Sequence, residues 1–382
     1  MRAAGRWGLT RILAIRVGVA FRSRGCPLDG PHDQESAMSL ADCSHPALEA
    51  VAVHAAAAPR PTAVQRCSFE FELDLRHAGR RRVRLAVESQ GPVDAPVVWV
   101  AGGISAHRHV ASHLLDQQPG WWQDAVGAGR ALDPARHCLI ACDWLGAGGD
   151  LDVPLDTRDQ AAAIARILDE LGIARLQAFV GASYGAMVGL ALAADHPARL
   201  QRLVALSGAH RPDPFASAYR ALQRQLVRLA REHGAETEGL ALARQFAMLS
   251  YRTQREFGQR FDTPVALAGD SARCAAEDYL AECGARYVAR WNATAFLRLS
   301  ESIDLHAVEP SSVRVPTWLL AVEDDWLAPP PLVDALAAAI AAPVHNRRIA
   351  SPYGHDAFLK ETAAIDAWLR EALHSQPAGA RA

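Results

Sequence analysis

Five short apolar runs constrain what this chain can fold into more than any other feature. Pro96 to Ala101, His137 to Cys142, Leu176 to Val180, Arg202 to Ser207 and Val315 to Ala321 are too short for ordinary helices. They also lack the apolar/polar alternation of a half-exposed strand, so each reads as a strand buried on both faces. Helical-period segments accompany them at about 158 to 171, 184 to 196 and 331 to 342. Strands alternating with helices predict parallel βαβ units and an α/β architecture, a mostly parallel doubly wound sheet covered by helices. Ahead of these runs, Phe69, Phe71, Leu73 and Leu75 alternate with Glu70, Glu72 and Asp74. Val83, Leu85 and Val87 alternate after a basic turn at His77 to Arg82, which predicts a half-exposed hairpin.

Between Ser207 and Val315 the rhythm breaks into helices, including Phe215 to Glu232, Gly239 to Met248 and Glu277 to Tyr287. Helices inserted between two sheet strands, at the strand ends where chemistry occurs, make a lid. The expected organisation is a core from 66–211 and 312–375, a helical lid from 212–311, and a disordered tail from 376–382. Residues 1–65 have no sustained period and carry the run Ala55 to Ala58 followed by Pro59 and Pro61, as in a disordered leader. Met38 is a plausible true start. Arg11 and Arg16 interrupt the apolar part of Met1 to Phe21, which falls short of the roughly 18 residues a span requires, so no membrane anchor is expected.

With 40 basic against 42 acidic side chains the net charge is -2, which argues against nucleic acid or an anionic membrane as partner and for small-molecule chemistry. Seven cysteines occur without a CxxC pair, so reduced thiols in a cytoplasm are expected, with Cys138 and Cys142 as small residues of a buried strand.

The chemistry is carried by Gly181-Ala182-Ser183-Tyr184-Gly185, placed between the run Leu176 to Val180 and an amphipathic helix from Tyr184 to His196. This is the strand-turn-helix setting of the nucleophile elbow of the α/β-hydrolase fold, in which a strained serine projects its hydroxyl at a helix N-terminus. A serine hydroxyl needs a base, and the base an orienting acid. Of fifteen histidines, His355 lies in a loop after the last strand, in Ser-Pro-Tyr-Gly-His-Asp-Ala-Phe. His306 and His345 are alternatives expected to face solvent. Among Glu323, Asp324 and Asp325, which follow the fifth run, Asp325 is the expected acid and Asp324 the near alternative. The backbone N–H of Tyr184, with that of Gly102 or Gly103, should form the oxyanion hole. His107 and His109 have no apparent third partner, so no metal is assigned.

The blocks Gly-Ala-Ser-Tyr-Gly-Ala-Met (181 to 187), Leu-Gln-Arg-Gln (222 to 225), Ser-Tyr-Arg (250 to 252), Asp-Trp-Leu-Ala-Pro-Pro (325 to 330) and Gly-His-Asp-Ala-Phe-Leu (354 to 359) resemble the homoserine O-acyltransferases of the α/β-hydrolase superfamily. The resemblance spans about residues 70 to 373. It implies a triad of Ser183, Asp325 and His355, with Arg224 and Asp356 binding the carboxylate and ammonium of the amino-acid acceptor. It implies ping-pong transfer from acyl-CoA, a co-substrate rather than a bound cofactor, to L-homoserine for methionine synthesis. It also implies a homodimer paired through lid helices. The short 143 to 160 segment resembles succinyl-using members, and Leu327 resembles acetyl-using ones; Ala186 replaces a usual glycine. The expectation is a homoserine O-succinyltransferase, with the O-acetyltransferase, a serine acceptor or a plain esterase as alternatives. A succinyl pocket needs a cation, for which Arg108, Arg211, Arg252 and Arg290 are candidates.

Overall fold

The computed structural model describes residues 63–375. The expected leader, apart from its last residues, the start at Met38 and the tail from 376 lie outside them. An eight-stranded sheet runs in the order β1-β2-β4-β3-β5-β6-β9-β10. Strands β1 (Val64–Leu75) and β2 (Gly79–Gln90) form the expected hairpin, with β2 antiparallel to β4 (Cys138–Cys142). From β4 onward every neighbouring pair is parallel, through β3 (Val97–Ala101), β5 (Ala178–Ala182), β6 (Leu203–Leu206), β9 (Thr317–Val322) and β10 (Val344–Ile349).

Both faces of the central strands are covered, which is why their sequences are continuously apolar. In β3, Val98 and Val100 pack into one core while Trp99 and Ala101 pack into the other. Helices α1 (Thr157–Glu170), α2 (Tyr184–Asp195) and α8 (Pro330–Ala339) cover the Trp99 face, and α10 (Thr362–His374) covers the Val98 face. Helix α1 starts on a capping box in which the Asp156 side chain accepts from the Asp159 N–H and Asp159 accepts from the Asp156 N–H. Helix α2 departs from expectation. Its first ten residues are all buried, because the sheet covers one side and further helices the other, so it is apolar all round instead of amphipathic.

The segment between β6 and β9 is the helical insertion. It contains α3 (Pro214–Glu232), α4 (Glu236–Tyr251), α5 (Gln254–Phe261), a two-stranded ribbon of β7 (Ala266–Ala268) and β8 (Ser271–Arg273), α6 (Ala276–Val288) and α7 (Ala293–Asp304). A core of its own, centred on Val227, Leu240, Ala243, Phe296 and Leu297, holds it together. After β10 the chain passes through a short helix α9 (Ala357–Lys360) before α10. No helix among the described residues is long and apolar enough to cross a membrane.

Candidate active site

Strand β5 ends at Ala182, two residues beyond the apolar run that predicts it, and delivers the chain to Ser183 at φ 55°. That left-handed conformation is strained for a serine. The turn is held because the Ser183 N–H donates to the Leu206 carbonyl of β6 at 2.8 Å and the Gly185 N–H donates to the Gly102 carbonyl at 2.8 Å. Gly185 lies so close to β3 that an added Cβ would stand 2.3 Å from the Ala101 carbonyl oxygen, so glycine is required there.

His355 comes from the short turn after β10, and its Nε2 lies 2.7 Å from Ser183 Oγ. Its Nδ1 lies 2.7 Å from Oδ2 of Asp325, which is buried after β9. The other oxygen, Oδ1, accepts the N–H groups of Leu327 and Ala328 at 2.9 and 3.0 Å. Asp325 and not Asp324 therefore meets the imidazole, while Glu323 and Asp324 are exposed. Burial alone would lower the His355 pKa, but the charge and hydrogen bond of Asp325, with the charge of Asp356, outweigh it and raise the pKa. The three side chains can thus take a proton from Ser183 and stabilise the imidazolium that results.

The Tyr184 N–H, at the first turn of α2, has no acceptor among the described residues, and the same holds for the Gly103 N–H. Gly103 approaches the nucleophile: a Cβ placed on it would be 3.9 Å from Ser183 Cβ. A Cβ on Gly102 would lie 2.5 Å from the Ala106 Cβ and 2.7 Å from the Trp121 ring. The Tyr184 side chain turns away from the hole, its hydroxyl 2.7 Å from Ser302 Oγ.

Above Ser183 a cavity opens beneath the lid, lined by Met187, Tyr219, Arg220, Gln223, Arg244 and Leu327 among others. A second lobe, lined by Gly103, Trp121, Asp356 and Phe358, shares Ile104, Ser183, Arg244, Tyr251 and His355 with the first. A concave, partly apolar site opening on the nucleophile is the usual setting for a small-molecule substrate. Asp356 faces the second lobe and is tied to Arg252 Nε at 2.8 Å. Arg224 does not line either lobe. Its Nη1 donates to Asp304 at 2.7 Å and to Ser300 Oγ at 2.9 Å, so it buttresses the wall.

Other expectations are corrected. His306 is buried, not solvent-facing: Thr157 Oγ1 lies 2.6 Å from its Nδ1 and the Ala209 carbonyl 3.0 Å from its Nε2. Burial holds its pKa down at about 3. His345 is exposed as expected and stacks on Trp318. None of the four candidate cations for a succinyl group lines the cavity. Arg108 pairs with Asp143, Arg252 with Asp356 and Glu256, and Arg290 Nη2 lies 2.9 Å from His107 Nε2. Arg211 is exposed and donates to its neighbour's carbonyl. His109 does acquire partners that its sequence context conceals. Glu88, His109 and His113 bring ligand-type atoms within 4.8 Å of one another. Arg66 Nε donates to Glu88 at 2.7 Å, and the two ring nitrogens of His109 face Glu88 and the Gln118 carbonyl.

Sequence reading missed Arg220, Arg244 and Ser207. Ser207, at the end of β6 with φ 50°, puts a hydroxyl without a partner into the cavity wall. Arg244 did leave a signal: it interrupts the buried stripe Leu240, Ala243, Ala247 and Met248 of α4, where a charge is out of place.

Residues 96–362 match the family model of the alpha/beta hydrolase fold. The sheet order, the strained Ser183 and its His-Asp partners are those of that class, and the chain belongs to it. A homoserine O-succinyltransferase from Xanthomonas campestris is 54% identical over 364 residues, covering 94% of this chain and 98% of that protein. A homoserine O-acetyltransferase from Thermus thermophilus is 34% identical over 277 residues, 65% of this chain and 70% of that protein. The crystal structure of a homoserine O-acetyltransferase from Bacillus anthracis superposes with a TM-score of 0.75 at 17% identity, covering 82% of this chain and 99% of that one. Within the hydrolase class, this chain is a member of the homoserine O-acyltransferase family.

Proposed function

We propose that this protein transfers an acyl group, succinyl in preference to acetyl, from acyl-CoA to the hydroxyl of L-homoserine. The observation that carries the reading is the Ser183-His355-Asp325 relay, with links of 2.7 Å, opening into a lid-covered cavity in a chain 54% identical to a homoserine O-succinyltransferase. Ser183 Oγ attacks the thioester carbonyl as His355 takes its proton, and the oxyanion is met by the N–H groups of Tyr184 and Gly103. The C–S bond breaks, and the CoA thiolate leaves with the proton from His355. Homoserine then enters, His355 deprotonates its hydroxyl as it attacks the acyl-serine, the acyl C–Oγ bond breaks, and His355 returns the proton to Ser183 Oγ as O-acylhomoserine, a precursor for methionine synthesis, is released. Asp356, on the second lobe, would exchange its Arg252 partner for the acceptor's ammonium, while Arg224, off the cavity and held by Asp304, supports the wall behind it. No bound cofactor is needed. The lid excludes the water that would hydrolyse the acyl-enzyme.

A homodimer and a cytoplasmic setting belong to the same proposal. Phe215, Leu222 and Leu229 repeat every seven residues on α3 and are exposed, beside exposed Phe246 and Leu249 on α4, an apolar stripe fit to pair with a second copy. Free thiols at Cys67, Cys138, Cys142, Cys274 and Cys283 suit a reducing compartment.

The test is steady-state kinetics with succinyl-CoA and acetyl-CoA, each with homoserine and serine. The reading predicts CoA release that depends on homoserine and is faster with succinyl-CoA. Release no faster with either amino acid than with water alone would reject it in favour of an esterase.

A further inference from the structure

Two arginines line the cavity above Ser183, and they differ in what they are already doing. Arg220 is committed: its Nε and Nη2 donate to Asp304 Oδ1 at 2.9 and 2.6 Å. Arg244, half-buried, has no hydrogen-bond acceptor and no carboxylate within 4.0 Å among the described residues. Its Cζ lies over the ring of Tyr251 at 5.2 Å from the centroid and over that of Tyr287 at 5.0 Å. Ring contacts of this kind offset part of the desolvation of a cation but accept none of its N–H groups. A guanidinium presents five N–H donors in its own plane, in a fork that matches a carboxylate. The charge of Asp356 acts on Arg244 across the lobe, but Asp356 is hydrogen-bonded to Arg252 at 2.8 Å, which leaves Arg244 without a hydrogen-bonded counter-ion of its own.

The position is as informative as the missing partner. Arg244, Tyr251, Ser183 and His355 are common to both lobes, so an anion at Arg244 lies on the wall of the space that opens on the nucleophile. Burying an arginine without a counter-ion is unfavourable unless a ligand supplies the charge. We propose that Arg244 is the specificity-determining cation of this cavity, receiving a substrate carboxylate in a bidentate pair. The inference rests on the acyl-transfer reading for the identity of that substrate. Two carboxylates qualify, the distal one of a succinyl group and the α-carboxylate of the acceptor.

The experiment uses the full-length protein with Arg244→Met and Arg244→Lys, each checked for an unchanged circular-dichroism spectrum. Rapid-quench measurement of the CoA burst follows acyl-enzyme formation from succinyl-CoA and acetyl-CoA. If the succinyl carboxylate is the ligand, the ratio of the succinyl to the acetyl burst rate falls about ten- to a hundred-fold in Arg244→Met, the loss expected for a charge-assisted pair, with partial recovery in Arg244→Lys. If the ligand is the acceptor's carboxylate, the burst ratio holds, and the preference for homoserine over 3-aminopropan-1-ol, which lacks the carboxylate, collapses by that factor. Thermal shift supplies a readout without turnover: succinate or homoserine should raise the Tm of the parent and not of Arg244→Met. That dependence would uphold the carboxylate site even in a protein that transferred no acyl group. Equal losses with charged and neutral substrates, or no change in any ratio and an unaltered thermal shift, would overturn the proposal.

Discussion

Replacing Asp325 by asparagine separates the orienting role of the carboxylate from its role in the turn. The side-chain amide would keep a carbonyl oxygen in place of Oδ1, so the Leu327 and Ala328 N–H groups would retain the acceptor they reach at 2.9 and 3.0 Å. The amide nitrogen would replace Oδ2, 2.7 Å from His355 Nδ1. An amide nitrogen only donates, so Nδ1 must accept and the imidazole proton moves to Nε2. Nε2 then has no lone pair for the Ser183 proton, and the base is lost while the geometry survives. For a triad of this type the loss in kcat is about 10⁴-fold, and four decades at about 1.36 kcal/mol each come to about 5 kcal/mol. Rapid-quench measurement of CoA release reports this step directly. The pH profile gives a second reading. His355 must be neutral to act, and its pKa stands above the ordinary 6.5, because Asp325 and Asp356 together raise it by more than burial lowers it. The acidic limb of the parent profile should therefore lie above 6.5 and move down in Asp325→Asn, where the largest raising charge is gone. Asp324→Asn, at an exposed neighbour, should remain within about twofold of the parent. A loss below tenfold in Asp325→Asn, or an equal loss in Asp324→Asn, would refute the assignment.

His306 titrates in the opposite sense. Its folded pKa of about 3 lies below the ordinary 6.5, so the unfolded chain binds a proton that the folded chain refuses, and stability falls as pH drops between those values. The difference is about 2 kcal/mol between pH 7 and pH 5, readable from urea midpoints, and His306→Gln should lose that part of the slope. On the lid, Leu222→Glu with Leu229→Glu puts charge into the exposed stripe of α3 and should convert the proposed dimer to monomers in sedimentation equilibrium with an unchanged circular-dichroism spectrum, since both side chains are more than half exposed.

The sheet was legible because parallel strands buried on both faces leave continuous apolar runs, and each of the five runs lies on a strand. The elbow was legible for a related reason: glycine at 185 is forced by the 2.3 Å approach to Ala101, and that requirement is written in the sequence. Helix boundaries in the lid were less legible. The short α5 and the exposed β7-β8 ribbon went unseen because they bury little that would impose a period, and α7 went unseen although it buries seven of its twelve residues. Side-chain pairing was least legible. Arg108, Arg252 and Arg290 look alike as sequence, and only the fold shows that each has a polar partner while Arg244 has ring contacts and no hydrogen-bond acceptor among the described residues. The buried His306 illustrates the same limit, because its partners Thr157 and Ala209 are distant in the chain.

The triad does not itself decide what accepts the acyl group. A fold does not fix a function, and a Ser-His-Asp triad serves hydrolysis as well as transfer. The decision lies in what the lid sets over Ser183. Water needs no binding site, whereas an amino acid must be held by its charged groups long enough to outcompete the bulk solvent. A hydrolase of neutral esters has no use for a cation whose donors are left open beside the nucleophile, since burying one is unfavourable and the reaction gains nothing in return. Arg244 over Tyr251 and Tyr287, and Asp356 on the facing turn, put opposite charges on the wall of one lobe beside His355. A zwitterion or a dicarboxylic acyl group can use such a wall and a simple ester cannot. The proposed carboxylate site therefore predicts that neutralising Arg244 and Asp356 while keeping the triad turns the protein toward hydrolysis of its own acyl-enzyme, read as CoA release without an amino-acid acceptor.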